Sequence, residues 1–363
     1  MLGPNRKFTE GLFKVTTHRD RTLTVFSVII LLAFLFYADR NFDSYTVRIL
    51  ENIAIFITLA VSYNLINGVM GQFSLAPNAF LAIGAYTSAI FTLSQEEKLR
   101  SFIIEPMLWP LSVISFPFAI SLLLAGIATA LVAVMMATPV FRVRGDYLAI
   151  VTLGFGEVIQ VLANNFLSIT NGSLGLKGLY PYTNLWWAWG VCIFTIFCTV
   201  RLINSSYGRA MKAVREDEIA AEAMGINALR IKTFAFAFSA FFQGVAGGLL
   251  AHLITTISPS LFTFMFTFNL LIIVVIGGLG STTGSVIAAV LITWGNEALR
   301  VFEEPSNFFG FQYEGIPGMR MILFSVILIL VMLFARTGIM GRSEFTWEGL
   351  LQWFRRKIPA LKV

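Results

Sequence analysis

The chain alternates between long apolar runs and short polar breaks along almost its whole length. A run of about 20 apolar residues is long enough to cross a bilayer as a helix. The pattern predicts an all-α, polytopic transmembrane helix bundle of about ten spans, with eight or nine as alternatives. We place the spans near residues 23–38, 49–66, 79–94, 109–139, 146–165, 184–203, 231–256, 264–277, 283–299 and 317–335. The fourth run exceeds the usual length, so it either tilts or is divided at Pro117 with a separate short segment before it.

Charge supports this topology. Hydrophobic residues make up 57% of the chain and charged residues 13%, and the net charge of +6 comes from basic residues beside apolar runs rather than from a nucleic-acid surface. Alternating ten spans places all the basic clusters on one side, which the positive-inside rule makes cytoplasmic together with both termini. These clusters are Arg6–Arg21, Arg142 with Arg144, Arg201–Lys232 and Arg336–Lys357.

A polar stretch rich in helix formers, residues 205–232, interrupts the apolar pattern. Ser205 or Ser206 is suited to cap a helix start, and the acidic residues 216–218 favour a second helix start. Gly225 follows where a left-handed residue would end that second helix. The stretch therefore predicts two short helices against a membrane surface, with an ordinary cytoplasmic loop as the alternative.

Two glycine-rich breaks, residues 64–74 and 276–284, carry no charge and run directly into apolar segments. Irregular backbone at membrane depth is tolerated only where protein or a water-filled cavity surrounds it. Paired breaks in two halves of a chain are typical of transporters that bind substrate between broken or re-entrant helices. Tight helix packing through small residues is the alternative, and both can hold together.

Four ordered motifs stand out along the chain. They are Gly68–Leu75 with Ala79-Phe80 and Gly84-Ala85-Tyr86, then Arg144–Thr152 with Glu157, then Gly208-Arg209-Ala210 with residues 213–218, Ala220-Ala221 and Gly225, and finally Ile276–Ser281. Together they resemble those of the permease subunits of branched-chain amino acid ABC transporters, the high-affinity Leu/Ile/Val importers. The resemblance covers roughly residues 45 to 340.

The resemblance implies a coupling helix in the polar stretch that docks into a groove on an ATPase subunit. The implied coupling residues are Gly208, Arg209, Arg215, Glu216, Ala220, Ala221 and Gly225. Many importers carry a glutamate just before the two alanines, where this chain has Ile219. The implied partners are a second homologous permease, two ATP-binding cassette subunits, a periplasmic or lipid-anchored substrate-binding protein and membrane lipid, without nucleic acid.

The translocation pathway is expected at the two breaks and at one acidic residue within a span. Its candidates are Asn64, Gly71, Gln72, Ser74, Glu157, Gly277, Gly278 and Gly280. The family often has a histidine where this chain has Pro77 and Asn78. The outer segment Thr170–Gly175 resembles one that faces the exterior, where it contacts the binding protein or the pore mouth, or is simply a flexible loop.

Three parts of the chain are expected. They are a cytoplasmic N-terminal tail (1–22), a transmembrane permease domain (23–340) with its coupling loop (204–230), and a cytoplasmic amphipathic tail (341–363). A signal peptide at the N-terminus is the alternative for the first apolar run, but it shows no small-x-small cleavage pattern. In the C-terminal tail, one helical face carries Trp347, Leu350, Leu351, Phe354 and Ile358, as expected for an interfacial anchor.

The sequence favours a transport subunit over an enzyme. It contains no G-x-x-x-x-G-K-[ST] loop, so we expect no ATPase site and no cofactor in this chain, with ATP used by partner subunits. The histidines His18 and His252 are too far apart to pair, so no metal site is expected. The alternatives are an importer of urea or short amides, and an ion-coupled carrier that would use Glu51, Glu157 or Glu297.

Overall fold

In the computed structural model of the chain, structure is described for residues 18–102, 105–141, 147–303, 306–308 and 311–313, and for scattered residues from 318 to 348. The helices of this part are α1 His18–Asn41, α2 Ser44–Asn64, α3 Pro77–Thr92, α4 Gln95–Ser101, α5 Phe118–Val140, α6 Tyr147–Asn165, α7 Leu167–Thr170, α8 Leu185–Ile203, α9 Ser206–Glu216, α10 Glu218–Ala223, α11 Ala228–Ile254, α12 Phe264–Gly277 and α13 Thr282–Ala298. The expected all-α bundle is confirmed.

Strands are short and sit in loops. They are β1 Leu176–Lys177, β2 Thr256–Ile257, β3 Ser306–Phe308 and β4 Phe311–Tyr313. β1 pairs with β2 and β3 pairs with β4, both antiparallel. The β1–β2 pair connects the loop before α8 to the backbone that follows α11.

Seven helical segments in the described part are long and apolar enough to cross a membrane. They are Thr22–Asn41, Ser44–Val69, Phe118–Val140, Tyr147–Asn165, Leu185–Ile203, Ala228–Ile254 and Pro259–Gly277. α3 and α13 coincide with two further predicted spans but have only 16 and 17 residues. The last predicted span, 317–335, and the motif at 142–146 lie largely outside the described residues, so the count of ten stays a prediction.

The long fourth run is not one helix. α5 begins at Phe118, directly after Pro117, and residues 105–117 form turns and irregular backbone. A tilted span over 109–139 was therefore wrong, and division at Pro117 is correct. Pro117 has an extended conformation (ψ 150°), which starts the helix after it instead of continuing one through it.

The core of the bundle lies around α11, which packs against α3 and α5. α2 and α11 are mostly buried along their length, whereas most of α6 is exposed. α2 leads into the first break and α11 follows the polar loop, so these two buried helices border two of the segments that the sequence singled out. Ser239 on α11 donates to the Ser62 carbonyl on α2 and fixes the pair at 2.5 Å.

Contacts divide the chain into two units, Met1–Val47 with Ser343–Val363, and Arg48–Arg342. In the first unit, the Trp347 indole N–H donates to the Thr24 hydroxyl of α1 at 3.1 Å. The rest of the predicted interfacial anchor, beyond Glu348, lies outside the described residues. Neither unit tests the predicted domain boundaries at 22 and 340, which stay predictions.

Successive helices of the second unit carry the chain between two opposite ends. One end, which we call the lysine cap, contains residues 93–102, 105–117, 167–183 and 255–258. The other, the glycine junction, contains residues 64–74, 215–216 and 277–281. Hydrogen bonds within each end, described below, join segments that are far apart in sequence.

The lysine cap is built around a buried ammonium group. Lys98 on α4 is 1% exposed, and its Nζ donates to the carbonyls of Leu111 and Ile114 at 2.7 and 2.6 Å. Asn171 donates from its amide to the carbonyls of Ser101 and Gly175, both at 2.9 Å. The Thr170–Gly175 segment is therefore held in place by specific hydrogen bonds.

Candidate functional site

The polar loop forms two short helices, as predicted. Ser205 caps α9, where its hydroxyl accepts from the Gly208 N–H, and Asp217 caps α10, where its carboxylate accepts from the Ala220 N–H at 3.0 Å. Gly225 follows with φ +83°, the left-handed residue that the sequence called for. The caps match the local sequence because side-chain oxygens satisfy backbone donors that no helix carbonyl can reach.

The loop is anchored to the bundle by an apolar cluster and one ion pair. Ala221 is buried, and Lys232 on α11 contacts Glu218 on α10 at 2.7 Å. By contrast, Ile219 and Met224 are 71% and 83% exposed. The cluster consists of Leu65, Val69, Met70, Ile203, Met211, Val214, Ala221, Ala228 and Ala235.

The first break replaces regular helix with a set of specific hydrogen bonds. α2 continues as a π-helical turn over Leu65–Val69, and Gly71 then adopts φ +70°. The Tyr63 hydroxyl donates to the Ser74 carbonyl at 2.7 Å, and the Ser74 N–H donates to Asn67 Oδ1 at 3.2 Å. The turn is thus closed by side chains of α2, as irregular backbone inside a membrane protein requires.

The second break lies directly against the first. Gly278 and Gly280 have φ values of +109° and +95°. The Asn64 amide donates to the Ser281 carbonyl and accepts from the Gly280 N–H, both at 2.9 Å. A Cβ atom on Gly68 would overlap the Gly280 backbone, so only glycine permits this approach. Two segments more than 200 residues apart in sequence therefore form one junction.

Arg215 at the end of α9 ties the polar loop to this junction. Its Nη1 donates to the Gly68 carbonyl at 3.0 Å, and its Nη2 contacts the Glu216 carboxylate at 2.7 Å. A Cβ atom on Gly71 would overlap the Arg215 side chain. The predicted coupling loop and both predicted breaks thus meet at a single guanidinium group.

A cavity of about 280 Å³ lies at this meeting point. Its lining combines a basic, an acidic and an amide side chain with glycine backbone: Asn67, Gly68, Gly71, Arg215, Glu216 and Leu279. In the described part of the chain, no group of three His, Cys, Asp or Glu residues is placed to hold a metal ion. The chemistry that the site offers is hydrogen bonding and paired charge.

Comparison with known protein families shows that most of the chain matches one of them. Residues 45–335 match the family described as "Branched-chain amino acid transport system / permease component". The chain belongs to this family. It contains a multi-pass set of apolar helices with the polar loop and breaks described above.

Curated relatives carry the same description. The permease is 31% identical over 334 residues to the high-affinity branched-chain amino acid transport system permease protein LivM of Salmonella typhimurium, covering 83% of this chain and 73% of the relative. LivM of Escherichia coli shows the same identity and coverage. LivH of Salmonella typhimurium is 26% identical over 329 residues, or 86% of this chain and 97% of the relative. No solved structure shows a significant match to the permease.

The structure brings together some of the predicted site residues of the permease. Asn64, Gly71, Gly280, Arg215 and Glu216 all lie at the glycine junction, although the first three came from the predicted pathway and the last two from the predicted coupling set. The structure thus joins two sets that the sequence kept apart.

Other predicted residues belong to the junction but do not line its cavity. The Gln72 N–H donates to the Ile66 carbonyl at 3.1 Å, and Ser74 is buried beneath the turn. Gly277 packs against the backbone of Gly284, which supports the tight-packing alternative for this glycine.

The remaining predicted residues lie apart from the junction cavity. Gly278 lies against the Gly341 backbone. Gly208 is buried against the Ile203 backbone, while Arg209 and Ala220 face outward.

The three acidic residues considered for ion coupling are scattered. Glu51 is 8% exposed on α2, Glu297 pairs with Arg300 near the end of α13 at 3.2 Å, and Glu157 lies on the exposed side of α6. None of the three lines the junction cavity. Their roles stay predictions.

Sequence reasoning missed three residues that the structure makes prominent. Asn67 and Gly68 lie inside the first break, and Asn67 follows the candidate Asn64 by three positions, so they share a face. Lys98 gave no sequence signal, because the carbonyls that it binds come from backbone 13 and 16 residues later.

Proposed function

We propose that this permease is one of two membrane subunits of an ABC importer that moves branched-chain amino acids inward across the bacterial cytoplasmic membrane. The other parts are a homologous permease, two ATP-hydrolysing subunits and a substrate-binding protein, and both termini of this chain are cytoplasmic. The names of its LivM and LivH relatives, two permeases of branched-chain amino acid transport, support the substrate class and the pairing.

The proposed mechanism rests on one observation. This is the hydrogen bond that Arg215 donates to the Gly68 carbonyl. ATP used by the partner subunits moves the α9–α10 loop, and this chain binds no nucleotide itself. Since Arg215 is bonded to the first break and the first break to the second through Asn64, displacement of the loop reaches both breaks. The glycine backbone of the junction is the part of the pathway that opens and closes.

The docking surface for the ATPase is the outer face of α10 together with the turn at Met224 and Gly225 that follows it. Ile219, Ala220, Met224 and Gly225 are exposed there, while Ala221 holds the helix to the bundle from below. Two large exposed apolar residues on a short polar loop are typical of a surface that a partner covers. Ile219, in place of the family's usual glutamate, adds apolar area to that surface.

Glu157 lines the pathway between the two permeases. It lies mid-helix on the exposed side of α6, in a segment long and apolar enough to span a membrane. A carboxylate facing lipid at that depth is costly, so it faces protein or water instead. A second permease subunit against α6 supplies that environment.

The test is uptake by proteoliposomes. Vesicles that hold both permeases and the ATPases, with binding protein outside, should accumulate leucine when ATP is enclosed. Vesicles with this chain alone should move no leucine uphill. Accumulation driven by a proton or sodium gradient without ATP would contradict the proposal. Uptake of urea and not of leucine would show that the importer stands but that its substrate is urea.

Docking is tested by a charge on the exposed face of α10. Met224→Glu should reduce co-purification of the ATPase subunits at least about tenfold, the factor that 1.4 kcal/mol of lost contact produces. Leu99→Glu, on α4 at the lysine cap and 75% exposed, is the matched control and should leave ATPase binding unchanged. Equal loss in both variants would point to general damage and remove the support for docking at α10.

A further inference from the structure

We propose that the cavity at the glycine junction is a binding site for the zwitterionic head group of an α-amino acid. The ligand's carboxylate is held by Asn67 and Arg215, and its ammonium group lies beside Glu216. The inference rests on the proposed function, since it makes the cargo the ligand, and it adds a defined site on the same side as the α9–α10 loop.

The orientation of Asn67 is the first step. The residue is 7% exposed, and its Oδ1 accepts the Ser74 N–H at 3.2 Å, which fixes the position of the amide group. Within the described residues the buried Nδ2 has no hydrogen-bond partner, and Asn67 is one of the residues that line the cavity. A buried amide donor left unpaired is unfavourable, and a ligand acceptor in the cavity would satisfy it.

The charges of the cavity are the second step. Arg215 presents a guanidinium group with five N–H donors, of which its bonds to Gly68 and Glu216 use two. The Glu216 side chain is 68% exposed beside it, so one wall carries both signs of charge. Two donors with a neighbouring carboxylate complement a carboxylate next to an ammonium group, which is the shape of an α-amino acid.

The size of the cavity is the third step. At about 280 Å³ it is far larger than the roughly 30 Å³ share of one water molecule, so a single bridging water would not fill it. Leu279, which lines the cavity and is 41% exposed, offers an apolar surface for an aliphatic side chain. The alternative occupant is a side chain of the ATPase reaching up from the docked loop.

The direct test is equilibrium binding of radiolabelled L-leucine to the full-length permease in lipid nanodiscs, without ATPase or binding protein. Saturable binding is expected, with competition by L-valine. Leucinamide lacks the carboxylate and 4-methylpentanoate lacks the ammonium group, so both should compete at least about tenfold more weakly. Absence of saturable binding, or equal competition by leucinamide, would overturn the proposal and leave the cavity to water or to the ATPase.

The decisive variant is Asn67→Asp, because it keeps the size of the side chain and the acceptor for the Ser74 N–H, while it replaces the unpaired donor with a carboxylate oxygen that repels the ligand's carboxylate. Leucine binding should fall at least about tenfold. Asn41→Asp is the matched control, an exposed amide that bonds only to the Tyr37 carbonyl in the described structure, and should bind leucine like the wild type. Undiminished binding in Asn67→Asp would contradict the site.

A second variant tests the contact between Glu216 and the ligand's ammonium group. Its readout is the selectivity between two ligands, which a loss of folding alone would not change. Glu216→Gln should weaken leucine binding while leaving 4-methylpentanoate unchanged or stronger, so the ratio of the two affinities shifts. An unchanged ratio would argue against Glu216 as the ammonium partner and overturn the zwitterion assignment.

The two proposals fail in different ways. If ATP-driven leucine uptake occurs but nanodiscs bind no leucine, the importer function stands and the site is wrong. If uptake fails while leucine binds and depends on Asn67, the site stands and the importer function is wrong.

Discussion

The two ends of the bundle satisfy their irregular backbone in opposite ways. At the lysine cap, a buried ammonium group and the Asn171 amide each bond to two backbone carbonyls of neighbouring segments. At the glycine junction, paired glycines let backbones touch, the Asn67 Nδ2 donor has no partner among the described residues, and a cavity remains. In the cap, the Lys98 and Asn171 donors are paired with carbonyls, whereas the junction has a cavity beside a donor that lacks a partner among the described residues.

The difference teaches where this permease can move. Residues 64–70 of the junction are buried, so what distinguishes the junction from the cap is the open space of its cavity and not a lack of buried contacts. We propose that the permease moves at this space when the ATPase subunits displace the polar loop. Arg215 places the polar loop against that region.

The largest expected effect is a loss of transport from a substitution in the polar loop, with the lysine cap unchanged. Gly225→Val should abolish transport, because a β-branched residue at φ +83° is strained and the end of α10 would shift. Gly225→Asn should retain transport, since asparagine tolerates the left-handed region. In the described structure the space around Gly225 is open, so both variants should fold. Leucine uptake against expression level measures the effect, and normal uptake by Gly225→Val would argue against loop coupling.

The next effect falls on stability. Lys98→Met should destabilise the permease by a few kcal/mol at most, since two partly buried carbonyls lose their donor and a fully buried unpaired group costs about 1–3 kcal/mol. Thermal unfolding in detergent measures the loss, and the exposed Lys177→Met is the control. Transport per folded molecule should not change. A variant that unfolds normally but transports poorly would move the functional region to the cap.

The smallest effect is a pH dependence of stability. Burial lowers the pKa of Lys98 below its ordinary value of 10.5. Between the lowered pKa and 10.5 the unfolded chain binds more protons at this residue than the folded chain, so its contribution to stability rises with pH across that window. Neutral lysine still has two N–H donors for the two carbonyls. The difference in unfolding free energy between wild type and Lys98→Met should therefore change across this window, and a constant difference would show that Lys98 is not buried as described.

Local signals in the sequence predicted much of the fold and part of the site. The spans followed from apolar runs, and the two loop helices followed from Ser205, Asp217 and Gly225, because caps act within a few residues of the chain. For the long fourth run the sequence left two alternatives, and the division at Pro117 proved correct. Breaks were predicted where uncharged glycine-rich backbone interrupts a span.

The sequence by itself determined what depends on near neighbours, which are the helices, their caps, the breaks and the family motifs. Tertiary structure alone decided that Asn64 reaches Ser281, that Arg215 reaches Gly68, and that Lys98 reaches two carbonyls beyond its own helix. These contacts join segments tens to hundreds of residues apart. Side-chain type and spacing carry no record of such distances, because they arise only when the helices pack.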